Sequence, residues 1–246
     1  MSVFITGASS GIGEACARAF AAAGKDLVLT ARRLDRLFHL RDELKKAYPQ
    51  IQVHCYSLDV TQRSSLDDLM SQHREVFQGV DVLINNAGLA LGRDPIQKGS
   101  PQDWDVVIDT NLKGLLYVTH AFLPIFLARK SGHIVNVSSV AGLWVYPNGN
   151  VYCASKHAVQ ALTQSLRYDL NGSGIRVTEI SPGMVQTEFS KVRFKGDEKK
   201  AAAVYEGKTP LQPVDIAETI IWCVNRPAHV NIQEVVLFPT EQPGVL

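Results

Sequence analysis

The stretch TGASSGIG, Thr6 to Gly13, decides how the rest of the chain is read. It follows a short apolar run, VFIT, and opens directly into EACARAFAAAG, an alanine-rich helical pattern. Strand, glycine turn and helix in that order put Gly7, Gly11 and Gly13 where the backbone turns tightly and comes close to a ligand. The helix start adds free N–H groups and the positive end of its dipole, a setting for a pyrophosphate. Ser9, Ser10 and Ile12 belong to the same turn. The spacing is GxxxGxG, not the commoner GxGxxG. The flanking strand and helix, more than the glycines themselves, make the signal specific.

Outward from this turn, apolar runs alternate with helical stretches. VFIT, LVLTA, VHCYSL, VLINNAG, HIVNVSS, IRVTEIS and EVVLFP are seven candidate strands. That rhythm predicts an α/β fold with a parallel sheet and helices on both faces. There is no Ser/Gly linker, repeat or low-complexity tract, so residues 1–246 are expected to form a single dinucleotide-binding and catalytic domain. Two helices have more apolar surface than one sheet face can cover: the segment from about Pro101 to Arg129, and the one beginning near Tyr152. Burial against another subunit would cover the excess, which predicts a homo-oligomer.

Composition narrows the function. The chain has 246 residues, 46% hydrophobic and 20% charged, with a net charge of +1, so neither nucleic acid nor an anionic membrane is an expected partner. Small-molecule chemistry is. The first strand is read from Ser2, so no secretory segment is expected before it, and four cysteines without metal-site spacing make a reducing cytoplasm the expected setting. Seven scattered histidines give no HxxxH or HExxH, and no metal is expected. The run GLLYVTHAFLPIFLA, broken by His120 and Pro124, is too short to span a bilayer.

The second strand, LVLTARR, ends in Arg32 and Arg33, where a site for NAD would place an acid on the ribose 2′-hydroxyl. Guanidinium groups suit a 2′-phosphate, so the expected coenzyme is NADP; the plainer alternative makes one of the two arginines a solvated helix start. Further on, YCASK places Tyr152 and Lys156 four apart on one helical face. A phenol near pKa 10 is about three units from working as a base at neutral pH, and a lysine ammonium beside it narrows the gap. Ser138 and Ser139 end the strand upstream, and either hydroxyl could hold a substrate oxygen.

These residues resemble the short-chain dehydrogenases/reductases along the full length: the glycine turn, NNAG (Asn85 to Gly88), Asn111, the serine, Tyr-x-x-x-Lys, and Pro182, Gly183 and Thr187. The resemblance implies a doubly wound (Rossmann) seven-stranded parallel sheet, hydride transfer, a homotetramer, and a tetrad of Asn111, Ser139, Tyr152 and Lys156. Ser139 is implied over Ser138 because the family serine usually lies thirteen residues before the tyrosine. Coenzyme contacts are implied at Asp59 and Val60 near the adenine, at Asn86, Ala87 and Gly88, and at Val185 and Thr187 near the nicotinamide. NNAGLALG, DTNLKGLLYVT, GNVYCASK, TEFSKVRFKGD and LFPTEQ are similar to a narrower group, the NADP-dependent 3-hydroxy acid dehydrogenases. That implies a small 3-hydroxy or 3-oxo acid as substrate; other readings are a reductase of 3-oxoacyl thioesters or bulky ketones, and a non-catalytic NADPH sensor.

Other positions have plainer readings. Cys153 and His157 fit helix packing and surface, Trp144 and Tyr146 fit pocket walls, and Asn148 and Asn150 fit either turn formers or substrate ligands. The run FSKVRFKGDEKK, residues 189–200, packs five basic side chains into twelve positions just past the sixth strand. Most of its charge is expected in solvent, with Asp197 to Lys200 as a helix start. Arg193, flanked by Val192 and Phe194, is free to turn inward and is the candidate grip for a substrate carboxylate, with Lys191 and Lys195 behind it.

Overall fold

In the first strand, β1 (Ser2–Thr6), side chains alternate between two cores although nearly all are apolar. Val3 and Ile5 enter one core and Phe4 the other, so a run with no polar alternation still has a two-sided pleat. The pattern repeats in β2 (Asp26–Ala31), where Leu27 and Leu29 face one way and Val28 the other, and in β5 (Gly132–Val137), where Val135 and Ile134 divide in the same manner. With β3 (Val53–Ser57), β4 (Val80–Asn85), β6 (Ile175–Pro182) and β7 (Glu234–Leu237) they form one seven-stranded sheet, order β3-β2-β1-β4-β5-β6-β7, parallel throughout. All seven expected strands are present. This computed structural model describes residues 1–244.

One face is covered by α1 (Gly11–Ala22), α2 (Leu34–Ala47) and, much later in the chain, α10 (Pro213–Val224). Cys16, Ala17, Phe20 and Ala21 of α1 share a core with Ile216, Ala217 and Ile220 of α10. The other face carries α3 (Arg63–Gln72), the short α4 (Arg74–Gln78), α6 (Leu115–Arg129) and α7 (Asn150–Asp169) around an aromatic cluster of Phe4, Phe77, Phe122 and Phe126. Strand order reverses between β1 and β4, so the loops leaving their carboxyl ends diverge and open a crevice.

The helical rod from Pro101 to Arg129 differs from expectation in two ways. It runs unbroken through Pro124, and over its 29 residues it is apolar and long enough to cross a membrane, whereas the sequence suggested an interrupted, shorter run. Here Val118, Phe122 and Phe126 pack under the sheet. The rod is also not a uniform α-helix. Between α5 (Pro101–Ile108) and α6, residues Asp109–Gly114 form a π-helical turn containing Asn111, a wider winding that is frequent at functional sites. Two short helices, α8 (Phe189–Arg193) and α9 (Glu198–Ala203), form the flap after β6, and Asp197 caps α9 by accepting from Lys200 N at 3.1 Å.

Candidate active site

The crevice becomes a long cleft over the carboxyl ends of the strands. Every expected coenzyme residue lines it except Gly13: Gly7, Ser9, Ser10, Gly11 and Ile12; Arg32 and Arg33; Asp59 and Val60; Asn86, Ala87 and Gly88; Tyr152 and Lys156; Pro182, Gly183, Val185 and Thr187. Gly13 lies beneath, as a packing residue. A Cβ there would come within 2.5 Å of both Asn86 Nδ2 and the Gly7 carbonyl oxygen. Gly7 and Gly11 have φ of +66° and +57°, the left-handed conformation that favours glycine. Asn86 braces the turn by donating to the Thr6 and Gly7 carbonyls at 2.9 and 3.3 Å, while Asn85 bridges Thr119 and Asn136 in the core. No side chain caps the start of α1, so its N–H groups are left to a ligand. A positive-φ glycine cradle, an uncapped helix start and adjoining arginines fit a dinucleotide with a phosphorylated ribose.

The two arginines at the end of β2 have different surroundings. Arg33 is braced on the glycine turn, with Nε and Nη2 donating to Ser9 Oγ at 3.2 and 3.1 Å and Nη2 to Ser10 Oγ at 2.8 Å. Arg32 lines the cleft with no side-chain hydrogen bond or ion pair among the described residues. Sequence reasoning missed Arg36, one helical turn beyond Arg33, and Glu188, which pairs with both Arg33 and Arg36. Asp59 accepts from the backbone and hydroxyl of Thr61, fixing the turn after β3.

Three of the four tetrad residues meet in the cleft. Tyr152 and Lys156 project from the first turns of α7, and Ser139 follows β5 with its hydroxyl beside the Tyr152 phenol. The Ser139 side chain accepts from Ala141 N at 3.1 Å, and it faces the cleft more openly than Ser138, which is 4% exposed with an unpartnered hydroxyl. Asn111 is buried behind them. Its side chain exchanges hydrogen bonds with the Leu89 backbone, both at 2.8 Å, and donates to Ser155 Oγ at 3.0 Å. Asn111 thus ties the π turn to the β4 loop and to α7 one residue before Lys156.

The electrostatics correct one expectation. Burial pushes the Tyr152 phenol up to about 12, and the groups that oppose this are Arg193 and the Ser139 hydroxyl, where Lys156 was expected. Lys156 Nζ is 6.0 Å from the Tyr152 ring centre and donates to the Val137 carbonyl at 3.0 Å, whereas the Arg193 guanidinium lies 4.9 Å from that centre. Lys156 itself is held down at about 8 by burial, against the attraction of Glu179.

The flap resolves the basic run. Lys191 pairs with Glu198 and Lys195 with Asp103, while Lys199 is exposed. Arg193 alone turns inward. Its guanidinium stacks on Tyr152 and, at 5.0 Å, on Phe189, and Nη2 donates to Tyr146 Oη at 2.8 Å, leaving Nε buried without a partner. It also lines a small cavity beside Tyr152, with Asp94, Trp104, Asn148 and Asn150. Tyr146 is therefore a wall of the site, but Trp144 is half exposed beside Phe238 and takes no part in it. Asn148, at φ +63°, is a turn former, and Asn150 ties α7 to the Asp94 carbonyl at 2.9 Å.

Comparison with known proteins follows the same lines. The family described as short chain dehydrogenase matches residues 1–198. The NADP-dependent 3-hydroxy acid dehydrogenase YdfG of Salmonella typhi is 47% identical over 243 residues, which is 98% of this chain and 96% of that protein. Sulfoacetaldehyde reductase 2 of Chromohalobacter salexigens is also 47% identical, over 98% of this chain and 94% of its own. Among solved structures, the closed form of serine dehydrogenase complexed with NADP+ superposes with a TM-score of 0.93 at 43% identity, covering 98% of this chain and 96% of that one. Matches of that length and identity, on a fold that superposes so closely, leave one assignment: this chain belongs to the short chain dehydrogenase family.

Proposed function

We propose that the protein oxidises small 3-hydroxy acids and reduces the corresponding 3-oxo acids with NADP(H). The observation that carries the substrate class is Arg193: a guanidinium turned into the site over Tyr152, with Nε buried and unpartnered. An unpaired buried donor is costly, and a substrate carboxylate would satisfy it. A thioester or neutral ketone brings no charge to offset that cost. The dehydrogenase, serine dehydrogenase and sulfoacetaldehyde reductase names of the relatives support a small anionic substrate, and the last favours a second reading in which the anion is a sulfonate.

NADP, when bound, supplies the nicotinamide that accepts or returns hydride. The chain supplies the rest. Tyr152 Oη takes the proton of the substrate hydroxyl in oxidation and gives it back in reduction. With its phenol held near 12, the unassisted protein keeps this proton and is set as an acid, so oxidation depends on the positive charge around it. Ser139 holds the reacting oxygen, Arg193 sets positive charge beside the phenol, Lys156 holds the ribose, and Asn111 keeps the π turn and α7 in register behind it. Exposed Val106, Leu116 and Leu127 on the α5–α6 rod, and Tyr168 on α7 at 84% exposure, support a homotetramer, and four unpaired cysteines support a cytoplasmic setting.

The test is a substrate panel with NADP: serine, allo-threonine, 3-hydroxyisobutyrate and isethionate against their neutral ester or alcohol analogues. Native protein should prefer the anions, and Arg193→Met should lose about 2–5 kcal/mol of that preference. Equal rates on acids and neutral analogues would reject the reading.

A further inference from the structure

We propose that Glu188 is a coenzyme-specificity residue, its carboxylate holding donors of Arg33 and Arg36, two of the three arginines that a 2′-phosphate would meet. Glu188 begins the flap, next to Thr187, whose side chain lies so close over Gly11 that a Cβ there would sit 3.2 Å from Thr187 Cγ2. From this position its carboxylate reaches across the mouth of the cleft to the start of α2. Arg33 Nη1 donates to it at 2.9 Å, and Arg36 Nη1 donates to both of its oxygens at 2.9 and 3.1 Å. Of the five Arg33 N–H donors, three go to Ser9 and Ser10 and one to Glu188, so Glu188 takes one of the two left for a ligand. The arginines hold the Glu188 carboxyl below its usual range, Arg36 contributing first and Arg33 next, so it is an anion at neutral pH.

A dianionic phosphate entering among Arg32, Arg33 and Arg36 meets a carboxylate already held there. Two anions on the same guanidinium groups repel, and Glu188 has to release its pairs for the phosphate to dock. NAD carries a hydroxyl at that position and leaves the pairs intact. Glu188 therefore weakens NADP binding selectively, and it links release of the flap at Thr187 to arrival of the 2′-phosphate. Both ion pairs involve side chains more than two-fifths exposed, so the effect is modest.

The inference rests on the proposed use of NADP, and direct binding separates the two. Dissociation constants for NADPH and NADH are measured by coenzyme fluorescence on native protein, Glu188→Gln and Glu188→Ala, with circular dichroism melts confirming that each variant is folded. Both variants should bind NADPH about three- to tenfold more tightly, with NADH shifted by less than about twofold. Weaker NADPH binding, an equal shift for both coenzymes, or no shift would make Glu188 a flap brace or a surface pair and overturn the inference while leaving NADP use intact. A native protein that binds NADPH no better than NADH would overturn both.

Discussion

His133 gives this fold an acid limit that can be isolated by one substitution. The imidazole is 2% exposed on β5, with Nε2 2.8 Å from Thr178 Oγ1. The Thr178 hydroxyl spends its proton on the Ile232 carbonyl at 2.6 Å, so it can only accept from the histidine. That fixes the Nε2–H tautomer and leaves Nδ1 a buried lone pair with no partner. A second proton would sit on Nδ1 with nothing to accept it and with the Arg176 charge nearby. Burial, and after it Arg176, holds the pKa down at about 3, against an unperturbed value of 6.5. The unfolded chain takes up this proton as pH falls through 6.5 while the folded protein does not. The contribution is therefore complete above pH 6.5 and is lost progressively toward pH 3. The slope is about 1.4 kcal/mol per pH unit for one proton, and roughly 4–5 kcal/mol across the window. Urea unfolding of native protein and His133→Asn from about pH 7 to about pH 4.5 tests it. The variant starts less stable because it loses packing, so the slopes are compared. Native stability should fall about 2–3 kcal/mol further than the variant's over that range. Parallel curves would refute the tautomer argument.

Three further outcomes are expected. Tyr152→Phe should lower turnover about 10²- to 10⁴-fold while the NADPH dissociation constant, read by fluorescence, changes little. Replacing Arg32 and Arg33 together with serine should cost NADP about 1.5–3 kcal/mol more than NAD in the same binding assay, because only NADP carries the phosphate. Gly13→Ala drives a methyl to within 2.5 Å of Asn86 Nδ2 and the Gly7 carbonyl, and should cost about 1–3 kcal/mol in urea unfolding together with loss of coenzyme binding.

What the sequence reveals here depends on how local the cause is. The strands are legible because their apolar runs are bounded by turn residues, and the glycine turn because its neighbours declare a strand and a helix. Arg32 and Arg33 are readable from their place at a strand end, and Arg193 from the apolar residues on either side of it. The π turn at Asn111 is not readable, because it lies in a run apolar on more than one face, where a slip in helical period has no polar stripe to displace. Glu188 and Arg36 lie 152 residues apart, and only the folded flap brings them together. The Tyr152 phenol was expected to be lowered by Lys156 on spacing alone, but its burial is a property of the tertiary fold, and burial dominates.

The packing of α1 against α10 has a consequence for synthesis. The helix after the glycine turn shares its core with β1, β2 and α2, which are made close to it in time, yet its other side is completed only when Ile216, Ala217 and Ile220 arrive some two hundred residues later. Emerging from a ribosome, the glycine turn and its helix wait with the α10 side of the helix open while the intervening chain is made. A nascent chain halted before Pro213 should be cut readily by protease within α1 and captured by chaperones, and one extended past Val224 should resist both. The coenzyme turn, made some two hundred residues before α10, would then be among the last parts to become rigid.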